Sequence, residues 1–144
     1  MKTLLTLLMV PLISCVAFAA DPPANEAPKK EAPAKDAPKK DEPVKVEQAE
    51  KLIKEGIQLL DVRTKEEWDE GHLKGAKLVT VTEDGFVVKA TAAIDPKKPV
   101  LVYCRSGGRS ARACKQLRDA GCTLVYDMEG GITEWEKAAK PVEK

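Results

Sequence analysis

At 144 residues the chain has room for one folded domain and little more. Its 24 Lys and Arg stand against 23 Asp and Glu, and a net charge of +1 gives no electrostatic case for binding nucleic acid. A single histidine, His72, and four cysteines at 15, 104, 114 and 122 with no Cys-x2-Cys pair argue against a metal centre.

The first twenty residues read as an export signal. Lys2 opens a short basic region, residues 3–20 carry no charge, and Ala17-Phe18-Ala19 supplies the small-x-small pattern of a signal-peptidase site. Cleavage is expected after Ala19 or Ala20. Pro11 and Asp21 interrupt the apolar run and make it marginal as a membrane span. Leu12-Ile13-Ser14-Cys15 is similar to a loose bacterial lipobox, which would put lipid on Cys15 and tie the protein to a membrane. The apolar run continues through Val16-Ala17-Phe18, which favours simple cleavage. Either route delivers the product outside the cytoplasm, to a periplasmic or other extracytoplasmic space.

Residues 21–45 form a Pro/Ala/Lys/Glu-rich arm in which a five-residue unit recurs four times, from Glu26 to Lys45. Proline in every unit denies a regular helix, and few apolar side chains are present to bury, so a disordered linker is expected. Extended as polyproline II, it would reach roughly 70 Å.

The folded domain is expected over 46–144. Val46, Ala49, Leu52 and Ile53 have helical spacing, and Gly56 stops that helix. Ile57-Gln58-Leu59-Leu60-Asp61-Val62 reads as a core strand. A short helix leads to a turn carrying His72, for which a structural role is expected. Leu78, Val79 and Val81, then Asp84-Gly85, then Phe86-Val87-Val88 predict a β-hairpin. Asp95-Pro96-Lys97-Lys98 is a turn into a second core strand, Pro99 to Tyr103. The helix that follows carries Ala113, Cys114, Leu117 and Ala120 on one face and ends at Gly121. Thr123 to Tyr126 is a further strand, Asp127 to Gly131 a turn, and a last helix starts at Ile132.

Cys104 therefore ends a strand on a glycine-containing loop just before a helix, the place where open α/β sheets bind ligands. Gly107 and Gly108 let the backbone curl so that successive N–H groups can face inward. The helix N-terminus, Arg105 and Arg109 add positive potential. Such surroundings favour a thiolate, and Cys104 is the candidate nucleophile. Removal of residue 15 leaves three cysteines. Cys114 and Cys122 either pair or pack as small core residues, and packing is the expectation.

Three signatures carry a family resemblance. The first is Cys104 with Ser106-Gly107 and Arg109-Ser110. The second runs through Asp61-Val62-Arg63, Glu66-Glu67-Trp68 and Gly71-His72-Leu73 to Gly75-Ala76. The third is Gly130-Gly131 followed by Trp135. Together they resemble the single-domain rhodanese sulfurtransferases. The loop is also similar to that of the dual-specificity phosphatases, but Cys-x4-Arg is one residue shorter than their Cys-x5-Arg, and a smaller cradle suits sulfur better than phosphate.

The resemblance implies an open, mostly parallel five-stranded sheet with helices on both faces. It implies a catalytic Cys104 that takes a sulfane sulfur from a small anion such as thiosulfate and passes it to a thiol or cyanide-like acceptor. Arg105, Ser106, Gly107, Gly108 and Arg109 would bind the substrate, with Arg105 drawing in the anion and Arg109 bracing the loop. Asp61 and Arg63 would support the site, or serve simply as a buried ion pair. No metal, no organic cofactor and a monomer are expected. Two other readings stay open: a thiol-redox enzyme with Cys114 or Cys122 as resolving thiol, and a non-catalytic binding or sensing module.

Overall fold

The computed structural model describes residues 42–144; the segment expected to be an export signal and most of the arm expected to be a linker lie outside the described residues. The described chain alternates α1 (Val46–Lys54), β1 (Gln58–Asp61), α2 (Lys65–Glu70), β2 (Lys77–Leu78), α3 (Phe86–Ala93), β3 (Val100–Tyr103), α4 (Gly108–Asp119), β4 (Val125–Asp127) and α5 (Gly131–Lys137). The strands form one sheet in the order β2-β1-β3-β4, and every pairing is parallel.

Parallel strands connected by helices are buried on both faces. In β3, Val100 and Val102 point to one face, where Phe86 and Ala90 of α3 and Ala113 and Leu117 of α4 pack. Leu101 and Tyr103 point to the other, against Ala49 of α1 and Ile132 and Trp135 of α5. The period-two alternation carries on to Cys104, which joins the α3–α4 face. None of these β3 side chains is more than 1% exposed, so the strand is a rigid mount for the loop that follows. Among the described residues no helix is long and apolar enough to cross a membrane.

Three sequence expectations are corrected. The sheet has four strands among the described residues, not five. Beside β4 the chain makes only a single parallel bridge, Val44 to Met128, before turning into α1 at Val46. Pro43, with no N–H to give, precedes that bridge. The hairpin over 78–88 is also absent. Lys77-Leu78 is a two-residue strand, and Phe86–Ala93 is a helix. Asp84-Gly85 is not a hairpin turn: Gly85, at φ +73, is the N-cap of α3. Phe86, Ala90 and Ile94, all buried, form an i, i+4, i+8 stripe that docks on the sheet. Tertiary burial of that stripe outweighs the strand preference of the adjacent valines. β4 begins at Val125, two residues later than expected.

Candidate active site

The loop from Cys104 to Gly107 leaves the end of β3 and runs straight into α4. Gly107 is the N-cap of α4 in the left-handed region at φ +103, a conformation that L side chains rarely adopt. This turn aims its backbone N–H at the Cys104 Sγ, 3.1 Å away. The thiol lies 3.5 Å from the Ser110 Oγ and donates to it, while the Ser110 hydroxyl donates to the Gly107 carbonyl at 2.9 Å. Burial pushes the Cys104 thiol up. The Ser110 hydroxyl and the N–H groups of Ser110, Gly107 and Ser106 outweigh it and hold the thiol below its ordinary value. Cys104 is 1% exposed, whereas Arg105, Ser106 and Gly108 are exposed. The sulfur is thus buried beneath a loop whose outer residues are polar and exposed.

Arg109 stands in the first turn of α4, where the helix dipole disfavours a cation. Glu67 of α2 compensates with two parallel bonds, 2.6 and 2.7 Å, to its guanidinium. The Arg109 guanidinium in turn holds the Glu67 carboxyl down at about 2. The partnership ties the loop to α2 across 42 positions of sequence. The sequence reading quoted Glu67 within a signature but gave it no role.

Asp61 and Arg63 form a buried ion pair, with 2.7 Å between Arg63 Nη2 and Asp61 Oδ2. Arg63 also donates to the Glu67 and Gly71 carbonyls, at 3.0 and 2.6 Å. The other side-chain bonds of Arg63 thus run to α2 and the turn that ends it, and the Tyr103 ring lies 5.8 Å beneath the guanidinium. Tyr103 accepts from the Leu73 N–H at 3.1 Å and keeps the turn after α2 in place. The pair therefore shapes the platform that offers Glu67 to the loop, one step removed from the sulfur.

The glycine pair at the start of α5 has a role that the sequence reading missed. Ile132 N–H donates to the Cys104 carbonyl at 2.9 Å, and Thr133 N–H and Oγ1 donate to the Arg105 carbonyl at 3.1 and 2.8 Å. These bonds turn the loop's carbonyls outward to α5 and leave its N–H groups for the sulfur. A Cβ on Gly131 would collide with the Cys104 carbonyl oxygen, and Gly131 sits at φ +59. Only glycine permits that approach.

His72 stacks on Trp68, with ring centroids 3.7 Å apart, and its backbone pairs with Glu143. These contacts hold its ring against α2 and its backbone against the C-terminal segment. Cys114 and Cys122 are free, buried thiols, each pushed up by burial.

The family model described as "Rhodanese-like domain" matches residues 44–138. Thiosulfate sulfurtransferase 18 of Arabidopsis thaliana is 34% identical over 108 residues, covering 67% of this chain and 79% of that protein. The chloroplastic thiosulfate sulfurtransferase 16 of the same plant is 35% identical over 102 residues, covering 65% of this chain and 85% of its own. A crystal structure of a rhodanese-related protein from Thermoplasma volcanium aligns with a TM-score of 0.62 at 27% identity, over 70% of this chain and 96% of that one. A parallel sheet with a cysteine cupped by main-chain N–H groups at its carboxyl end agrees with all of these, and the chain belongs to the rhodanese-like domain family.

Proposed function

We propose that the protein is a sulfurtransferase that moves a sulfane sulfur through a persulfide on Cys104. The Cys104 thiolate attacks the outer sulfur of a donor such as thiosulfate. A bond forms between the two sulfurs, the donor's own S–S bond breaks, and sulfite leaves with the electron pair. The persulfide's terminal sulfur keeps the negative charge. A thiolate or cyanide-like acceptor then attacks that terminal sulfur, and Cys104 departs as thiolate. The two half-reactions predict ping-pong kinetics.

One observation carries the reading: the Gly107 N–H is 3.1 Å from the Cys104 Sγ, within a loop whose N–H groups lower that thiol. Fixed main-chain dipoles of this kind stabilise a sulfur anion without reorganising. Relatives named as thiosulfate sulfurtransferases support the choice of donor. A nearly buried sulfur favours donors that present a terminal sulfur. In this reading Arg105, exposed on the loop, attracts the anion, and Arg109, engaged by Glu67, holds the loop's shape. The uncharged run before Asp21 and the arm behind it support work outside the cytoplasm.

Intact-mass measurement on the full-length chain after incubation with thiosulfate tests this. A gain of one sulfur atom that cyanide removes and Cys104→Ser abolishes is expected. An internal disulfide forming in place of the gain would favour the redox reading, and no change in mass would overturn transfer from this donor.

A further inference from the structure

The Ser110 hydroxyl, 3.5 Å from the candidate sulfur, has one proton and several acceptors. One is the Gly107 carbonyl and one is Cys104 itself once ionised. The third comes from β4. Asp127 pairs in register with Val102, so its side chain rises on the same face as Cys104, under α4. Ser110, Cys114 and Arg118, spaced i, i+4, i+8, form the strip of α4 that covers it. Arg118 is fastened at the far end by a 2.7 Å bond to the Val125 carbonyl. Asp127 Oδ1 is buried with no hydrogen-bond partner. Beside it an indentation of about 290 Å³, also lined by Glu42 and Cys114, connects this acid to water.

We propose that Asp127 is a positioning residue that decides, through the Ser110 hydroxyl, whether Cys104 receives that proton's hydrogen bond. When Asp127 is protonated it donates to the Ser110 Oγ, and the hydroxyl is free to turn to the thiolate. When Asp127 is ionised it competes for the hydroxyl proton and draws it from the sulfur. Burial pushes the Asp127 carboxyl up, and Ser110 and Arg118 draw it part of the way back. The charged and titratable groups around it are Arg118 and Cys114 from α4, Cys104 from the loop and Glu42 from the lead-in to α1. The proposal deepens the sulfurtransferase reading, since the group it tunes is that reaction's nucleophile.

Alkylation of Cys104 by iodoacetamide, followed by peptide mass against pH on the full-length chain, tests the relay without any sulfur transfer. In the unmodified protein the rate profile should show a second ionisation below that of the thiol. Asp127→Asn donates permanently to Ser110, so alkylation at pH 6 should rise about fivefold and the second ionisation should vanish. In Asp127→Asn combined with Ser110→Ala the gain should be lost. A gain that survives Ser110→Ala would reduce the effect to charge repulsion and overturn the relay, as would identical profiles for Asp127→Asn and the unmodified protein. If Asp127→Asn does not fold, Ser110→Ala alone decides: its profile should keep only one ionisation, and persistence of the second overturns the proposal. Failure of thiosulfate to load sulfur would sink the transferase reading while leaving these profiles unaffected.

Discussion

The Cα of Gly131 faces the carbonyl of Cys104 so closely that no side chain fits between them. This contact sets the polarity of the loop, because the start of α5 engages the Cys104 and Arg105 carbonyls and the opposite edge of the backbone is left to the sulfur. Gly131→Ala would add a Cβ 2.7 Å from the Arg105 carbonyl oxygen and closer still to that of Cys104, at a φ of +59. The left-handed conformation alone costs about 1–2 kcal/mol, and displacement of the loop should bring the loss to about 2–4 kcal/mol. Urea denaturation should show that loss, and Cys104 alkylation near neutral pH should slow together with it. Unchanged alkylation would mean that the loop does not depend on α5.

Glu67→Gln tests the brace between α2 and the loop. The Glu67 carboxyl is held at about 2 in the folded protein against an ordinary value near 4.5. Its folded value is depressed, so its contribution is complete above the unfolded value and is lost as pH falls from about 4.5 toward 2. The pair is partly exposed, 28% for Arg109 and 21% for Glu67, which trims its worth to about 1–3 kcal/mol. The urea midpoint of the unmodified protein should fall through this acid window more steeply than that of Glu67→Gln. At pH 7 the variant should be the less stable of the two. Parallel curves would show that the pair contributes nothing measurable.

Asp61→Asn should be the costlier change. It leaves Arg63, 4% exposed, without the carboxylate that accepts three of its guanidinium bonds. Removing one partner of a buried pair costs about 3–5 kcal/mol, a large share of the stability of a domain this size. Circular dichroism against temperature should show a marked drop in midpoint. Because the pair touches α2 and Tyr103 rather than the sulfur, the alkylation rate of the remaining folded fraction should change little.

These contacts also show where a linear reading stops. α1, β1, β3 and α4 are legible because apolar runs and helical spacing are local, and the glycines at 56 and 121 mark the ends of the two helices in the left-handed conformation. The position of Cys104 follows from that local order. Residues 78–93 mislead because Val87 and Val88 favour a strand while the Phe86–Ala90–Ile94 stripe, visible only once a sheet is there to receive it, favours a helix. Glu67 and Arg109 lie 42 residues apart, and neither side chain alone signals the other. The reason for Gly131 is a neighbouring carbonyl, which no spacing rule reveals. Asp127 reads as a turn residue until its register beside Val102 places it under Ser110.

The three described cysteines should separate cleanly by reactivity. Cys104 is drawn below its ordinary value by the loop, whereas Cys114 and Cys122 are pushed up by burial. All three are almost fully buried, at 1%, 1% and 3% exposure, so accessibility to a bulky reagent does not rank them; thiolate fraction does. Limited iodoacetamide treatment near pH 7, mapped by peptide mass, should label Cys104 first by at least tenfold. Cys114 and Cys122 should label only after urea unfolds the chain. Sign follows the same logic: the lowered thiol stabilises the fold above its unfolded value, and that contribution disappears as pH falls through the folded one. Labelling of Cys114 or Cys122 ahead of Cys104 in the folded protein would mean that the loop's N–H groups fail to hold a thiolate, and the proposed chemistry would lose its nucleophile.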